Sequence, residues 1–234
     1  FAFLEPSVEQ ARAAVAGATR PLAVVLGGPG TGKTHTVATM LALLLNEAPD
    51  RFRVALAAPT GKAAARMGES IAAAAASLRT SSVEGAERLA DAMATVAEEP
   101  LTLHRLLGYN PSRRTWRHDR STPLVHDVVI VDETSMVSLP MMARLLDAVR
   151  PDARLVLVGD PGQLASVEAG SVLSDVAGGD VGIDPARPLA ECIVELTQSH
   201  RFPGDSAIAR FAAAVRRGSS DDALAVLGEP AEDS

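Results

Sequence analysis

The residues with the plainest chemistry form one run, Gly27-Gly28-Pro29-Gly30-Thr31-Gly32-Lys33-Thr34. Gly27, Gly32, Lys33 and Thr34 stand at the defining places of a phosphate-binding loop. Glycines let successive backbone N–H groups curl round phosphate oxygens, and a helix that starts there adds the favourable end of its dipole. Lys33 is spaced to reach the terminal phosphates, and Thr34 to hold a magnesium ion. Such a loop needs a strand before it and a helix after it. The apolar run Leu22 to Leu26 and the helix-like segment His35 to Asn46 supply both. The binding set is therefore Gly28, Pro29, Gly30, Thr31, Gly32, Lys33 and Thr34.

Three further sites fit the same chemistry. The run Asp127 to Val131 ends in Asp132-Glu133, two carboxylates at the close of a buried strand. Unpaired charge there is costly without a cation or a base role. Asp132 suits the magnesium shell, and Glu133 suits orienting and deprotonating an attacking water. Gly159-Asp160-Pro161-Gly162-Gln163 offers Gln163 for contact with a terminal phosphate or its water, and Asp160 as support for that loop. A plain Asp-Pro-Gly turn explains the same residues. Arg201, in Gln198-Ser199-His200-Arg201, can bring positive charge to a phosphoryl transition state.

These positions need a scaffold. Short apolar runs at Leu22 to Leu26, Val54 to Ala57, Val128 to Val131 and Leu155 to Val158 each lead into a loop with Gly, Pro or acidic residues. Helix-like segments His35 to Asn46, Gly61 to Leu78, Pro140 to Val149 and Ala207 to Arg217 alternate with them. The fold class is thus α/β, a mainly parallel sheet flanked by helices, with ligands expected beyond the carboxyl ends of the strands. Thr80 to Pro100 reads as an alanine-rich acidic helix. Asn110 to Pro123, with Arg113, Arg114, Arg117, Arg120 and Trp116, reads as a basic loop or hairpin. Residues 80–123 are expected to be a helical and loop insertion in a single domain spanning 1–234.

Composition narrows the setting. With 47% hydrophobic residues and 234 positions, a substantial core is expected, built from aliphatic side chains because only 3% are aromatic. A net charge of −7 argues against a protein coated in positive charge, so any nucleic-acid site is a local groove. The single cysteine, Cys192, cannot form an internal disulfide, and no apolar run reaches membrane-spanning length. A cytoplasmic setting is expected. The chain opens on Phe1 and closes on the polar stretch Glu229 to Ser234, and is read as a piece of something longer.

In their order along the chain, these motifs resemble superfamily 1 helicases, specifically the 5′-to-3′ branch with its RecD-type, TraI-like and Dda-like members. The phosphate loop and Asp132-Glu133-Thr134-Ser135-Met136 match that family's nucleotide motifs. Gly159 to Gln163, continuing to Gly170, is similar to its phosphate-sensing motif, and Leu196 to Arg201 to its arginine-bearing one. Ala58-Pro59-Thr60-Gly61-Lys62-Ala63-Ala64-Ala65-Arg66 and Thr102-Leu103-His104-Arg105-Leu106-Leu107-Gly108 look like its two DNA-contacting motifs. The resemblance implies a RecA-like P-loop NTPase core, ATP and Mg2+ as cofactors, and Gln10 reading adenine. It also implies a single-stranded DNA path over Pro59, Thr60, Lys62, Arg66, Thr102 and His104, touching mainly backbone. The APTGKAAARM, LHRLLGY and VDETSM segments are similar to the RecD type. They imply a motor that acts in DNA-end unwinding and double-strand break repair with RecB and RecC as partner subunits.

Other readings keep their place. Lys62 and Arg66 fit a solvated helix face, His104 a satisfied core histidine, and Gln10 a helix-surface glutamine. The basic stretch around Trp116 fits DNA, a partner subunit or solvent. A nucleotide-binding assembly module needs the phosphate loop but not Glu133, Gln163 and Arg201 together. A small-molecule kinase lacks use for Pro59 to Lys62 and Thr102 to Gly108. Only the first of two motor domains is evident, so the isolated chain is expected to bind nucleotide without unwinding DNA. No carboxylate cluster outside the ATP site suggests a nuclease centre.

Overall fold

The structure, a computed structural model, describes residues 6–49, 51–82, 84–163, 172–177, 188–198, 206–216 and 218–228. Its helices are α1 (Val8–Thr19), α2 (Lys33–Asn46), α3 (Gly61–Arg79), α4 (Ala86–Ala97), α5 (Leu103–Leu106), α6 (Leu139–Ala148), α7 (Val172–Ala177), α8 (Ala207–Arg216) and α9 (Ser220–Leu227). The strands are β1 (Leu22–Gly27), β2 (Val54–Ala58), β3 (Leu101–Thr102), β4 (Val128–Val131), β5 (Arg154–Gly159) and β6 (Ile193–Leu196).

All six strands join one sheet in the order β3-β2-β4-β5-β1-β6, and every pairing is parallel. Parallel strands are covered on both faces, so their sequences run continuously apolar while successive side chains alternate between the two faces. That alternation is explicit here. Ala23, Val25, Leu56, Val128, Ile130, Val156 and Val158 enter one core, with Met40, Leu41, Met67, Ile71 and Met93 from α2, α3 and α4. Val24, Leu26, Ala55, Ala57, Val129, Val131, Leu155 and Leu157 enter the other, with Leu103, Leu106, Met142 and Leu145 from α5 and α6.

The four strands expected from apolar runs are all present. Two others escaped that criterion. β3 has only two residues, and β6 is an edge strand whose Glu195 is exposed. The segment expected to be helical between Thr80 and Pro100 contains α4, whose Leu89, Ala90 and Met93 join the first core beside α3. Arg79 at the end of α3 pairs with Asp91 of α4.

Local chemistry sets the helix starts nearest the sheet's carboxyl edge. Ser7 caps α1 in a reciprocal box with Gln10, Thr60 caps α3 through Ala63 N (3.2 Å), and Thr102 caps α5 through Arg105 N (3.3 Å). Hence two residues expected on a DNA path, Thr60 and Thr102, also hold helix ends.

Candidate nucleotide site at the carboxyl edge of the sheet

β1 delivers the glycine-rich loop, and α2 begins directly after it. Gly30 and Gly32 take φ of 80° and 83°, a left-handed backbone that a side chain would strain, so the loop's tight curl depends on them. Thr31 is 4% exposed and donates its hydroxyl to Gly28 O at 3.0 Å. Lys33 folds back over the loop, and its Nζ donates to the carbonyls of Gly27 (2.6 Å) and Gly28 (3.1 Å).

β4 lies two strands away, with β5 between, and presents Asp132 and Glu133. Burial pushes the Asp132 carboxyl above the usual aspartate range. The hydrogen bond it accepts from Glu133 N at 2.8 Å opposes that rise, the neighbouring Glu133 charge reinforces it, and Lys33 opposes it. Glu133 adopts φ 52° and ψ 40°, a left-handed conformation that costs a non-glycine residue about 1 kcal/mol or more. Its Oε2 is buried without a hydrogen-bond partner in the protein. A strained backbone thus carries a carboxylate with one buried acceptor that no protein group fills. These two acids fit a cation: one is hard to ionise alone, and the other has an unfilled acceptor.

β5 ends between the phosphate loop and the acid pair. Gly159 lets its neighbours pack closely: a Cβ there would lie 2.5 Å from Leu173 Cδ2 and 3.1 Å from Ser135 N, so a side chain would push the Leu173 tip aside and crowd the backbone after Glu133. Asp160, 6% exposed, accepts from Gly162 N at 3.0 Å and takes a long hydrogen bond from Gln163 Nε2 at 3.4 Å. It shapes the turn that carries Gln163.

One cavity of about 940 Å3 collects these parts, lined by Gly28, Pro29, Gly30, Gly32, Lys33, Thr34, Asp132, Glu133 and Gln163. Thr60, Lys62 and Arg66 line the same cavity from the first turns of α3. Sequence order alone had separated them from the nucleotide. His35, Glu69 and Ser70 also line it, and no local pattern marks them, whereas Met136 comes with the acidic motif that it closes. Pro59 is half-buried at the end of β2, beside Thr60.

Thr102 and His104 stand apart from this cavity, at the end of β3. The exposed His104 ring meets Tyr109 and Trp116, each at 5.5 Å between centroids. Gln10 is 3% exposed and does not line the cavity. Its Oε1 accepts from Ser7 N at 3.0 Å, and its Nε2 donates to Thr31 O at 3.1 Å, so it ties α1 to the phosphate loop from behind. Arg201 and Ser166 to Gly170 lie outside the described residues. Among the described residues, no helix is long and apolar enough to cross a membrane, and no group of three or more His, Cys, Asp or Glu could hold a metal.

Comparison with known proteins agrees with this geometry. Residues 10–169 match the family model described as AAA domain. The RecBCD enzyme subunit RecD of Mycolicibacterium smegmatis is 51% identical over 96% of this chain, and that of Haemophilus influenzae 41% identical over 87%. The ATP-dependent RecD2 DNA helicase of Deinococcus radiodurans is 40% identical over 67% of this chain. The chain spans 38%, 34% and 18% of the lengths of these relatives, in that order. Among solved structures, the Pif1 helicase from Candida albicans superposes with a TM-score of 0.55 at 20% identity, covering 97% of this chain and 48% of that one. The fold is therefore a RecA-like P-loop α/β core, and the chain belongs to the AAA domain family as a RecD-like member.

Proposed function

We propose that this chain is the ATP-binding half of a 5′-to-3′ DNA motor of the RecD type. The longer protein would couple ATP hydrolysis to translocation on single-stranded DNA and, with RecB and RecC, to unwinding of DNA ends for break repair in the cytoplasm. One observation carries the reading: a single cavity holds the phosphate loop, Asp132, Glu133 and Gln163. The names of the RecBCD subunit relatives suggest the partners, and that of the RecD2 DNA helicase suggests the polymer.

Each residue has a task that follows from its surroundings. The loop amides from Gly28 to Thr34 cradle phosphate oxygens, and Lys33 exchanges its carbonyl partners for the terminal phosphates. Thr34 and Asp132 hold Mg2+, which when bound neutralises charge on the phosphates. Glu133, with its unpartnered Oε2, accepts the proton of the attacking water. Gln163 orients that water on the turn held by Asp160. Arg201 brings positive charge to the departing phosphate. Gln10 would read adenine through paired hydrogen bonds by exchanging the ones its amide now makes with Ser7 N and Thr31 O. Pro59, Thr60, Lys62, Arg66, Thr102 and His104 guide the strand, with Lys62 and Arg66 facing the nucleotide cavity and so touching both ligands.

The second motor domain lies elsewhere in the longer protein, which supplies the far wall of the cleft. Steady-state ATP hydrolysis by the longer protein and by this chain, each with and without single-stranded DNA, tests the reading. DNA-stimulated turnover in the longer protein that disappears in Lys33→Ala supports it. If ATP binds but DNA, with partner subunits present, never stimulates turnover, the motor reading fails and a nucleotide-dependent assembly module replaces it.

A further inference from the structure

In a chain with 3% aromatic residues, its one tryptophan and its one tyrosine meet at the surface. The Tyr109 and Trp116 centroids lie 4.6 Å apart with the rings 40° to each other. His104 stands edge-on to Tyr109 and tilted against Trp116. The Arg144 guanidinium, from α6, lies 5.0 Å over the Trp116 ring.

The backbone builds this cluster deliberately. Tyr109 N donates to His104 O at 2.8 Å, and an antiparallel bridge between Asn110 and Thr115 turns the chain back on itself. Arg117 N and His118 N then bond to the carbonyls of Gly108 and Leu107 at 3.2 Å, which returns Trp116 to α5. Trp116 rests partly on the second core. That contact anchors the hairpin, but it accounts for neither the exposed imidazole nor the charge around it. Residues 103–120 hold five arginines and one carboxylate, Asp119, within a chain of net charge −7. Arg105, Arg113, Arg114 and Arg117 are exposed, and Arg120 pairs with Asp147 at 2.9 Å.

We infer that His104, Tyr109, Trp116 and Arg144 form a stacking platform for the unpaired bases of a single DNA strand. The inference rests on the single-strand path proposed through Thr102 and His104. It adds that the strand is held by its bases as well as by its phosphates. Aromatic faces accept any base, so the grip is tolerant of sequence, while the surrounding arginines attract the backbone. Arg144 stacked on Trp116 adds a cation to the π surface. A protein partner would have no reason to discriminate between a strand with bases and one without.

Because Trp116 is the only tryptophan, its fluorescence reports on this site alone. The 234-residue chain is titrated with an oligo(dT), an abasic strand of equal length and a blunt duplex, with binding also followed by the anisotropy of a dye on each nucleic acid. Quenching by oligo(dT), little response to the abasic strand, and weakest binding of the duplex are expected. Tyr109→Leu keeps apolar bulk and the reporter; it should weaken oligo(dT) binding about tenfold and leave abasic binding unchanged. Trp116→Leu should do the same by anisotropy, with binding of a fluorescent ADP analogue showing that the fold persists. Should Trp116→Leu lose that ADP binding, Tyr109→Leu decides. Equal affinity for oligo(dT) and abasic strands, or an equal loss of both in Tyr109→Leu, overturns the platform while leaving the strand path standing. If neither oligo(dT) nor the abasic strand binds, both the platform and the strand path are removed.

Discussion

The two ends of β4 carry acids four apolar residues apart, and they live in opposite circumstances. Asp127, at the amino end, accepts from Arg53 N and from the Arg150 guanidinium, both at 2.8 Å. Those contacts, the Arg53 amide foremost, hold its carboxyl below the usual aspartate range. Asp132, at the carboxyl end, has burial and a second acid beside it, and its carboxyl is pushed up. Beside Asp132, Glu133 sits in a strained left-handed backbone with an unpartnered oxygen. The comparison teaches how to separate an acid bonded to the segments around it from acids that burial and backbone strain leave at odds with their surroundings. The first has partners from two other segments of the chain; of the second pair, Asp132 has the neighbouring amide and Glu133 keeps one oxygen without a partner.

Substitutions can break or sharpen that contrast. The largest effect expected is on Glu133→Gln, which should slow DNA-stimulated ATP hydrolysis by the longer protein roughly 10²- to 10⁴-fold while nucleotide still binds. A turnover number within a few-fold of the parent would remove Glu133 as the base. Asp132→Asn should abolish the extra thermal stabilisation conferred by magnesium with ATP over ATP alone. It should also raise the melting temperature of the magnesium-free protein at neutral pH. The sign follows from the raised carboxyl: its favourable contribution is present at low pH and is lost as pH rises through its folded value. A fall in melting temperature on Asp132→Asn would contradict the assignment of strain to that charge.

At the other end, Asp127→Ala should cost about 1 kcal/mol after allowance for solvent screening, with ATP affinity unchanged. For a chain of this size that lowers the melting temperature by roughly 2–4 °C. Because the folded carboxyl lies low, its contribution is full above the unfolded aspartate value of about 3.9 and is lost as pH falls through the folded value. The two proteins' melting curves should therefore converge in acid. The smallest effect separates two losses at one site. Glu133→Gly and Glu133→Ala both remove the carboxylate, yet the glycine variant should be more stable by about 1 kcal/mol because the left-handed backbone suits it. Equal stabilities would mean that the backbone relaxes once the side chain is gone.

Much of this was legible in the sequence because it is local. The phosphate loop is eight contiguous residues with its strand and helix attached, and the central strands β1, β2, β4 and β5 are apolar runs buried on both faces. β6 was hidden because an edge strand with exposed Glu195 carries a weaker pattern. β3 was hidden because two residues carry none. Side-chain partnership across the fold was also out of reach. Nothing in the sequence joins Gln10 to Thr31, brings Lys62 and Arg66 to the nucleotide cavity, or sets Arg144 over Trp116. Those depend on which strands neighbour one another and on where each helix starts, properties of the folded whole.

The first turn of α1 makes two grips with adjacent side chains. Gln10 holds Thr31 of the phosphate loop, and Glu9 takes both the amide and the hydroxyl of Thr197, at 2.8 Å and 2.6 Å, just past β6. Loop and strand end are thereby yoked through less than one turn of helix. Mechanically they are a single part: displacing Thr31 must either carry Thr197 along or break a named bond, and the chain from Thr197 runs within four residues to Arg201.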